Sequence, residues 1–298
     1  MKLADAPMDT PSSLRSWLDG QGFAIALRLT LLDLLLAPIG QWSVRAPVLL
    51  IASAGLLHGG VLRSPLTWLM LAGLSAWRVL ADWPMSDNHA YLLSYWCLAI
   101  FIALLSIRPP RSLARSARLM IGLAFAFAIL WKGALSPDYN DDRFFRTLLL
   151  LDSRFEDITL SIGGMREESL DDARELLEND LHDSVRIAPA SLESHAVRRL
   201  ATFLTWATLG IEGLVALLFL LPARFPSGRL RDWALLAFCA GTYAIAPVPG
   251  FGWLLLSMGI AQCPDDARST RWLYLACFAL VLLHEHVPWF DALPISAG

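Results

Sequence analysis

The chain has 298 residues, of which 56% are hydrophobic and 17% charged, with a formal net charge of −3 and a mean hydropathy of +0.51. Soluble domains carry about a quarter charged residues, and here the apolar residues lie in long blocks without alternation. This composition excludes a disordered chain, a coiled coil and an ordinary soluble enzyme. The block length also excludes the roughly ten-residue alternating strands of a membrane β-barrel. The remaining fold class is all-α, a polytopic bundle of transmembrane helices.

Nine apolar stretches follow one another along the chain and predict about eight to nine membrane spans. A bilayer requires about 20 apolar residues per helix, and prolines separate most of the stretches. The turn around Pro247 and Pro249 leaves two options for 231–263, either two spans or one span with a re-entrant segment. The stretches lie at 23–39, 46–62, 66–81, 90–107, 116–135, 198–221, 231–247, 250–263 and 272–288.

The placement of arginines predicts the orientation of the bundle. The short loops at 108–118 and 222–231 are rich in arginine, and such loops stay on the cytoplasmic side. Between them lie two predicted spans and the segment 136–197, which holds more than half of all Asp and Glu residues. We therefore expect a multi-pass protein of the cell inner (plasma) membrane, with a cytoplasmic N-terminus and an extracytoplasmic 136–197 segment.

These patterns divide the chain into four regions. An N-terminal cytoplasmic segment precedes a first half of the transmembrane bundle, and an acidic cap separates that half from the second. The regions are 1–22, 23–135, 136–197 and 198–290 in that order.

The 136–197 segment has a soluble composition and is expected to form a small external helical cap. Ser169, with Asp172 three residues later, is typical of the start of a helix. The stretch 143–151 is apolar but too short to span a bilayer, which favours an interfacial or re-entrant helix. The apolar face of the helix after Ser169 would comprise Leu170, Ala173, Leu176, Leu177 and Leu181.

Ionisable side chains inside apolar segments mark candidate sites, because each costs several kcal/mol in a bilayer unless it is paired or hydrated. Glu212 lies mid-span and therefore needs a partner. Arg78 and Asp82 are four residues apart and are expected to pair on one helix face. Arg28 and Asp33 have two open interpretations, snorkelling to the interface and pairing across helices. The other candidates converge on the outer side and are Asn88, His89, Lys132, Asp138 and the triplet His284-Glu285-His286.

Several ligand classes are excluded by spacing. His284 and His286 are two residues apart and do not share a helix face, so we expect no metal site from them. The four cysteines lie in or at the ends of apolar segments, without the spacing of a metal site or a disulfide framework. Basic residues form no patch interleaved with aromatic residues, which excludes nucleic acid as a partner.

Lys132 is the strongest candidate for a chemical role. Among the 24 basic residues only Lys2 and Lys132 are lysines, so arginine is the usual cation of this chain. An arginine stays charged, whereas a partly desolvated lysine can lose its proton and act as a base or nucleophile. The alternative is an interfacial anchor beside Trp131. His89 would hydrogen-bond or polarise a substrate, or else begin a helix at the interface.

Two motifs surround these candidates, namely SDNHAYLL at 86–93 and the helix 118–135 that ends near Lys132. They resemble the vitamin K-dependent γ-glutamyl carboxylases and the related HTTM (horizontally transferred transmembrane) proteins of bacteria. The resemblance implies that Lys132 is the base that deprotonates a reduced quinone and that His89 is a supporting active-site histidine. Asn88, Asp138 and Glu212 would then hold substrate-binding or supporting positions.

The resemblance does not extend over the whole family pattern. Where the family has a helix bearing histidine and asparagine before a Phe-rich span, this chain has Tyr-Ala-Ile-Ala-Pro-Val at 243–248. The resemblance therefore implies a quinol-type pocket with its base, without the full carboxylation reaction.

Two functions remain open at this point. The first is a membrane enzyme that acts on a lipophilic, quinone-like substrate near the outer leaflet, with Lys132 as general base. The second is a non-catalytic membrane scaffold that docks a protein partner through the acidic 136–197 segment. A transporter is disfavoured, because the sequence shows no internal repeat and no paired broken spans.

Overall fold

The protein is α-helical throughout the residues that its computed structural model describes, which are 21–84, 86, 88–183, 194–222, 228–245, 248–264 and 266–286. These residues contain no strand, which confirms the all-α class. A π-helical turn, Trp131–Leu135, and a 3₁₀ turn, Ser153–Phe155, lie between α-helices. The helices are α1 (Gly22–Leu36), α2 (Trp42–Leu57), α3 (Gly59–Leu62), α4 (Pro65–Ala81), α5 (Asn88–Leu105), α6 (Pro109–Leu130), α7 (Pro137–Asn140), α8 (Arg143–Leu151), α9 (Glu156–Ser161), α10 (Glu167–Asp183), α11 (His195–Leu220), α12 (Gly228–Ile245), α13 (Pro249–Gln262) and α14 (Arg268–His286).

Three helical segments of the described chain are long and apolar enough to cross a membrane. They are Asn88–Leu105, Pro109–Leu135 and His195–Leu220, and three shorter apolar helices accompany them at Trp42–Leu57, Pro65–Ala81 and Gly250–Gln262. Large apolar side chains are exposed along such segments, as expected where lipid replaces water. The count of eight to nine spans stays a prediction.

The described residues form two compact units. The first lies within Met1–Arg118 and Gly250–Leu280, and the second within Leu119–Pro249 and Val281–Gly298. Each unit has its own buried apolar side chains.

In the first unit, close helix approaches are made at small residues. Gly55 of α2 lies against Leu31 of α1, and a Cβ at this glycine would be 2.5 Å from the Leu31 Cδ1 atom. The indole nitrogen of Trp96 on α5 donates a hydrogen bond of 2.9 Å to the Thr30 hydroxyl on α1. Both of these side chains are fully buried. A polar contact therefore fixes α5 against α1 inside an otherwise apolar core.

The α13–α14 packing in the same unit leaves no space for a methyl group at Gly259. A Cβ there would lie 2.4 Å from Cε1 of Tyr274, which is fully buried and cannot move aside. We expect Gly259→Ala to lower the free energy of unfolding by about 1–3 kcal/mol, because overpacking forces side chains and backbone to shift. Thermal unfolding in detergent measures this loss.

The control for that substitution is Gly73→Ala on α4, where no heavy atom lies within 4 Å of the added Cβ. It should leave stability unchanged or raise it slightly, since alanine favours a helix over glycine. Equal destabilisation by both variants would contradict the packing described here.

In the second unit, the short helices after α6 pack against α11. Tyr139, Phe145, Leu149, Phe155 and the α11 face that begins at Val197 form one buried apolar cluster. Residues of the 136–197 segment therefore share a core with a helix long enough to span a membrane.

The long helix of the 136–197 segment starts earlier than the sequence predicts, and its apolar face is buried where it is described. The helix predicted to start at Ser169 begins at Glu167, because acidic residues also suit a first turn and the Leu170 amide already bonds to the Arg166 carbonyl. Leu170 and Ala173 are buried as expected. The side chains of Leu176, Leu177 and Leu181 lie outside the described residues.

The apolar stretch at 143–151 is the nine-residue helix α8. Its buried side chains are Phe145, Leu149 and Leu150, and it packs on α11. Its interfacial or re-entrant placement stays a prediction.

Candidate functional site

Lys132 lies in the π-helical turn at the end of α6. This turn, Trp131–Leu135, is one residue wider than an α-helical turn, and such turns are frequent at functional sites. Pro137 then begins α7, whose Asn140 donates a hydrogen bond of 2.9 Å from Nδ2 to the Gly133 carbonyl. The chain therefore folds back on itself directly after Lys132.

Glu212 of α11 is the partner of Lys132. The Lys132 Nζ atom donates to Oε1 of Glu212 at 2.5 Å, and the two side chains are 24% and 7% exposed. One residue further along, a Cβ on Gly213 would lie 3.6 Å from Cδ1 of Ile129, so α6 and α11 are in close contact beside the pair. The buried carboxylate thus has the counter-charge that its burial requires.

The second carboxylate oxygen of Glu212 is buried and accepts no hydrogen bond from any described residue. A carboxylate can accept several hydrogen bonds, and here Lys132 supplies one at Oε1. Oε2 is therefore available to accept a proton or a hydrogen bond from a bound molecule.

Tyr139 lies beside the Lys132–Glu212 pair. Its ring centre is 5.2 Å from the Lys132 ammonium, a distance at which an aromatic face attracts a cation. Burial and the nearby Glu212 carboxylate raise the pKa of the Tyr139 phenol well above its usual value, and the contact with Thr208 offsets part of this rise. The phenol therefore stays protonated beside the ion pair.

The raised pKa of Tyr139 predicts a distinct titration. Ordinary tyrosines ionise near pH 10, so in the folded protein the Tyr139 phenol should ionise above that pH. Its contribution to stability is complete below about pH 10 and is lost as the pH rises towards its folded pKa. Phenolate absorbance, followed against pH in the wild type and in Tyr139→Phe, measures this effect.

The control is the same titration of the unfolded protein, in which phenols are in contact with water and ionise near pH 10. Tyr139→Phe should remove only the latest part of the absorbance rise. If Tyr139→Phe removes the early part of the rise in the folded protein, the phenol of Tyr139 is not held protonated.

Asp138 lies in a surface ion-pair cluster. Its carboxylate is 3.2 Å from the guanidinium of Arg143, which also contacts Asp141 at 2.6 Å. The Arg143 hydrogen bond lowers the pKa of Asp141. All three side chains are largely exposed, so pairs of this kind contribute little to stability.

Asn88 and His89 begin α5 in the first unit, whereas Lys132 and Glu212 belong to the second. Asn88 is exposed and His89 half-buried. His89 lines a cavity of about 200 Å³ together with Asp33 and Arg78. Arg78 forms the expected ion pair with Asp82, at 3.2 Å.

Sequence reasoning missed the part that Tyr139 takes in the site. The available signal was Pro137, which ends one helix and turns the chain back towards Lys132.

The described residues contain no group of three His, Cys, Asp or Glu side chains able to hold a metal, and the side chains of the 284–286 triplet lie outside them. The chain matches no protein-family model, no curated protein and no solved structure.

Proposed function

We propose that this is a multi-pass membrane enzyme in which Lys132 and Glu212 transfer a proton from a lipophilic, quinol-like substrate. The observation that carries the proposal is the 2.5 Å contact between Lys132 Nζ and Glu212 Oε1 at the junction of two membrane-length helices. Charged residues at such depth are costly and frequently functional. The quinol class is what the resemblance to the carboxylase and HTTM proteins implies.

The pair offers a route to a neutral lysine, which a base must be. Lys132 passes its proton to Glu212, and the products are a neutral amine and a neutral carboxylic acid. Both are tolerated in an apolar setting, where separated charges are disfavoured. The amine then accepts the hydroxyl proton of the substrate, and the substrate becomes an anion beside the new ammonium group.

Two neighbours support this role. The Tyr139 ring, 5.2 Å from Nζ, stabilises the ammonium that forms. The Lys132 side chain is 24% exposed, and Trp131 and Leu135 beside it are more than half exposed. A lipophilic substrate would meet apolar side chains before it met the base.

The finer parts of this proposal come from the sequence. They are eight to nine spans in the cell inner membrane, a cytoplasmic N-terminus, and 136–197 on the outside. The roles of Asn88, His89 and Asp138 in the same chemistry are likewise predictions from the resemblance and from their predicted side of the membrane.

The test uses the full-length protein in lipid nanodiscs with a ubiquinol or menaquinol of short side chain. We expect wild-type protein to bind or turn over the quinol. The rate of proton transfer from the quinol should fall at least tenfold in Lys132→Arg, because a guanidinium does not act as a base near neutral pH. Lys2→Arg is the matched control, since Lys2 is the only other lysine. Wild-type inactivity with every quinol, or full activity of Lys132→Arg, would overturn the proposal.

The second candidate function is a scaffold subunit, and one observation favours it. The described part of α10 exposes acidic side chains, and Arg174 pairs with only one of them, Asp171, at 3.5 Å. Such a surface suits a basic partner protein. The exposed acids of α10 are Glu167, Glu168, Asp171, Asp172 and Glu175.

Copurification in mild detergent distinguishes the two functions. Reversal of the exposed α10 acids to lysine should release a stoichiometric partner if the protein is a scaffold, while Lys132→Ala should leave that partner bound. A monomer without a partner, in which only Lys132→Ala has an effect, supports the enzyme.

A further inference from the structure

Asp33 of α1 is a buried carboxylate that has no partner among the residues that the structure describes. The residue is 4% exposed, and its side chain forms no hydrogen bond or ion pair with any described residue. Arg28, the nearest cation along the helix, is not its partner. A buried charge of this kind is costly unless something compensates it.

The side chain of Asp33 lines a cavity of about 200 Å³ in the first unit. This volume is several times the roughly 30 Å³ that one water molecule occupies in the liquid. The apolar part of the wall comes from α1, the segment that follows it, α5 and α13, and Arg78 and His89 complete the wall. The apolar lining residues are Leu34, Ala37, Pro38, Ile39, Leu93 and Leu254.

Gly250 keeps the space beside the carboxylate open. A Cβ at this position would lie 3.8 Å from Oδ1 of Asp33 and 3.5 Å from Cβ of Ala37. A larger side chain would extend from there into the cavity that these residues line. A larger apolar residue in place of Gly250 would therefore fill the cavity without changing the charge of its wall.

The charges around the cavity favour a cation. Arg78 is already matched by Asp82, whose carboxylate lies 3.2 Å from the Arg78 Nε atom. Asp33 is the acidic side chain of the wall, and none of the described residues forms an ion pair with it. A ligand that fits must bring a positive charge or hydrogen-bond donors to Asp33 and apolar surface to the rest of the wall.

We propose that this cavity binds a small organic ammonium ion. An ammonium group carries three donors and a positive charge for Asp33, and a short hydrocarbon chain suits the apolar lining. A metal ion is less suited, because the described residues contain no group of three His, Cys, Asp or Glu ligands. The site lies in the unit that does not contain Lys132 and Glu212, so the inference does not depend on the proposed function.

The experiment measures binding of n-butylammonium to the full-length protein in nanodiscs at neutral pH, by calorimetry or tryptophan fluorescence. Neutral n-butanol and anionic butyrate are compared as probes of the same length. We expect saturable binding of the ammonium ion only. Asp33→Asn should weaken it at least tenfold, because the substitution removes the charge from the acceptor of the ammonium group.

Gly250→Leu should abolish binding by filling the cavity, whereas Gly73→Leu in the same unit should not, because no atom lies near that position. Glu212→Gln should also leave binding intact, which separates this site from the proposed proton-transfer pair. Absence of saturable n-butylammonium binding, equal binding of n-butanol, or unchanged affinity in Asp33→Asn would each overturn the proposal. Equal binding of n-butanol would show a protonated, neutral Asp33.

Discussion

Replacing Lys132 with Met is expected to destabilise the protein by about 3–5 kcal/mol, because the substitution leaves a buried carboxylate without its counter-charge. The Glu212 side chain is only 7% exposed and cannot reach water without disturbing the packing of α11. Chemical or thermal unfolding in detergent at neutral pH measures the loss.

The reverse substitution, Glu212→Gln, should cost less. Lys132 is 24% exposed, so its flexible stem can carry the ammonium group towards the interface. The double variant Lys132→Met with Glu212→Met should be near wild type, since both charges are removed together. A double variant as unstable as the sum of the single variants would show that the two side chains do not interact.

The control for this cycle is Arg143→Met, which removes an exposed ion pair outside the apolar helices. Exposed pairs contribute about 0–1 kcal/mol, so this variant should unfold like the wild type. A loss as large as that of Lys132→Met would show that burial does not set the cost.

Trp96→Ala should also cost about 3–5 kcal/mol, the usual range for removing a large aromatic side chain from a core. The indole is fully buried and donates a hydrogen bond of 2.9 Å to the Thr30 hydroxyl. Truncation leaves both a cavity and a buried hydroxyl without its donor. Unfolding measured in the same detergent as the wild type gives the difference.

Two further variants define the origin of that loss. Trp96→Phe keeps most of the volume and should cost only about 1 kcal/mol for the missing hydrogen bond. Tyr95→Ala changes the neighbouring aromatic residue, which is 62% exposed, and should have little effect. Comparable losses in Tyr95→Ala and Trp96→Ala would contradict the orientation of α5.

The helical class and some local pairs follow from the sequence, because they depend on short-range patterns. Long unalternated apolar blocks allow only helices in a bilayer, and the described residues contain no strand. Arg78 and Asp82 pair because four residues bring side chains together on one helix face. Neither inference needs knowledge of how helices pack.

The main pair of the site could not be predicted in this way. Lys132 and Glu212 are 80 positions apart in sequence, and no spacing rule connects them. Glu212 indicated only that a partner was needed, and several cations along the chain could have supplied it. Helix packing, which places Gly213 against Ile129, selects the partner.

The sequence likewise did not predict that Asp33 has no partner among the described residues. Arg28 lies five residues earlier and made pairing or snorkelling plausible, yet the carboxylate faces a cavity that residues from α4, α5 and α13 help to line. Sequence shows which groups are ionisable, whereas the space left between helices shows which of them lack a partner.

The wide turn that carries Lys132 has a mechanical consequence. Rewinding Trp131–Leu135 into ordinary helix would change the register by one position and rotate the neighbouring side chains by about 100° around the axis. The amine would then swing away from its carboxylate. Rewinding of this turn and breaking of the Lys132–Glu212 ion pair would therefore occur together. A molecule that separates the two charges would also favour rewinding of the end of the helix.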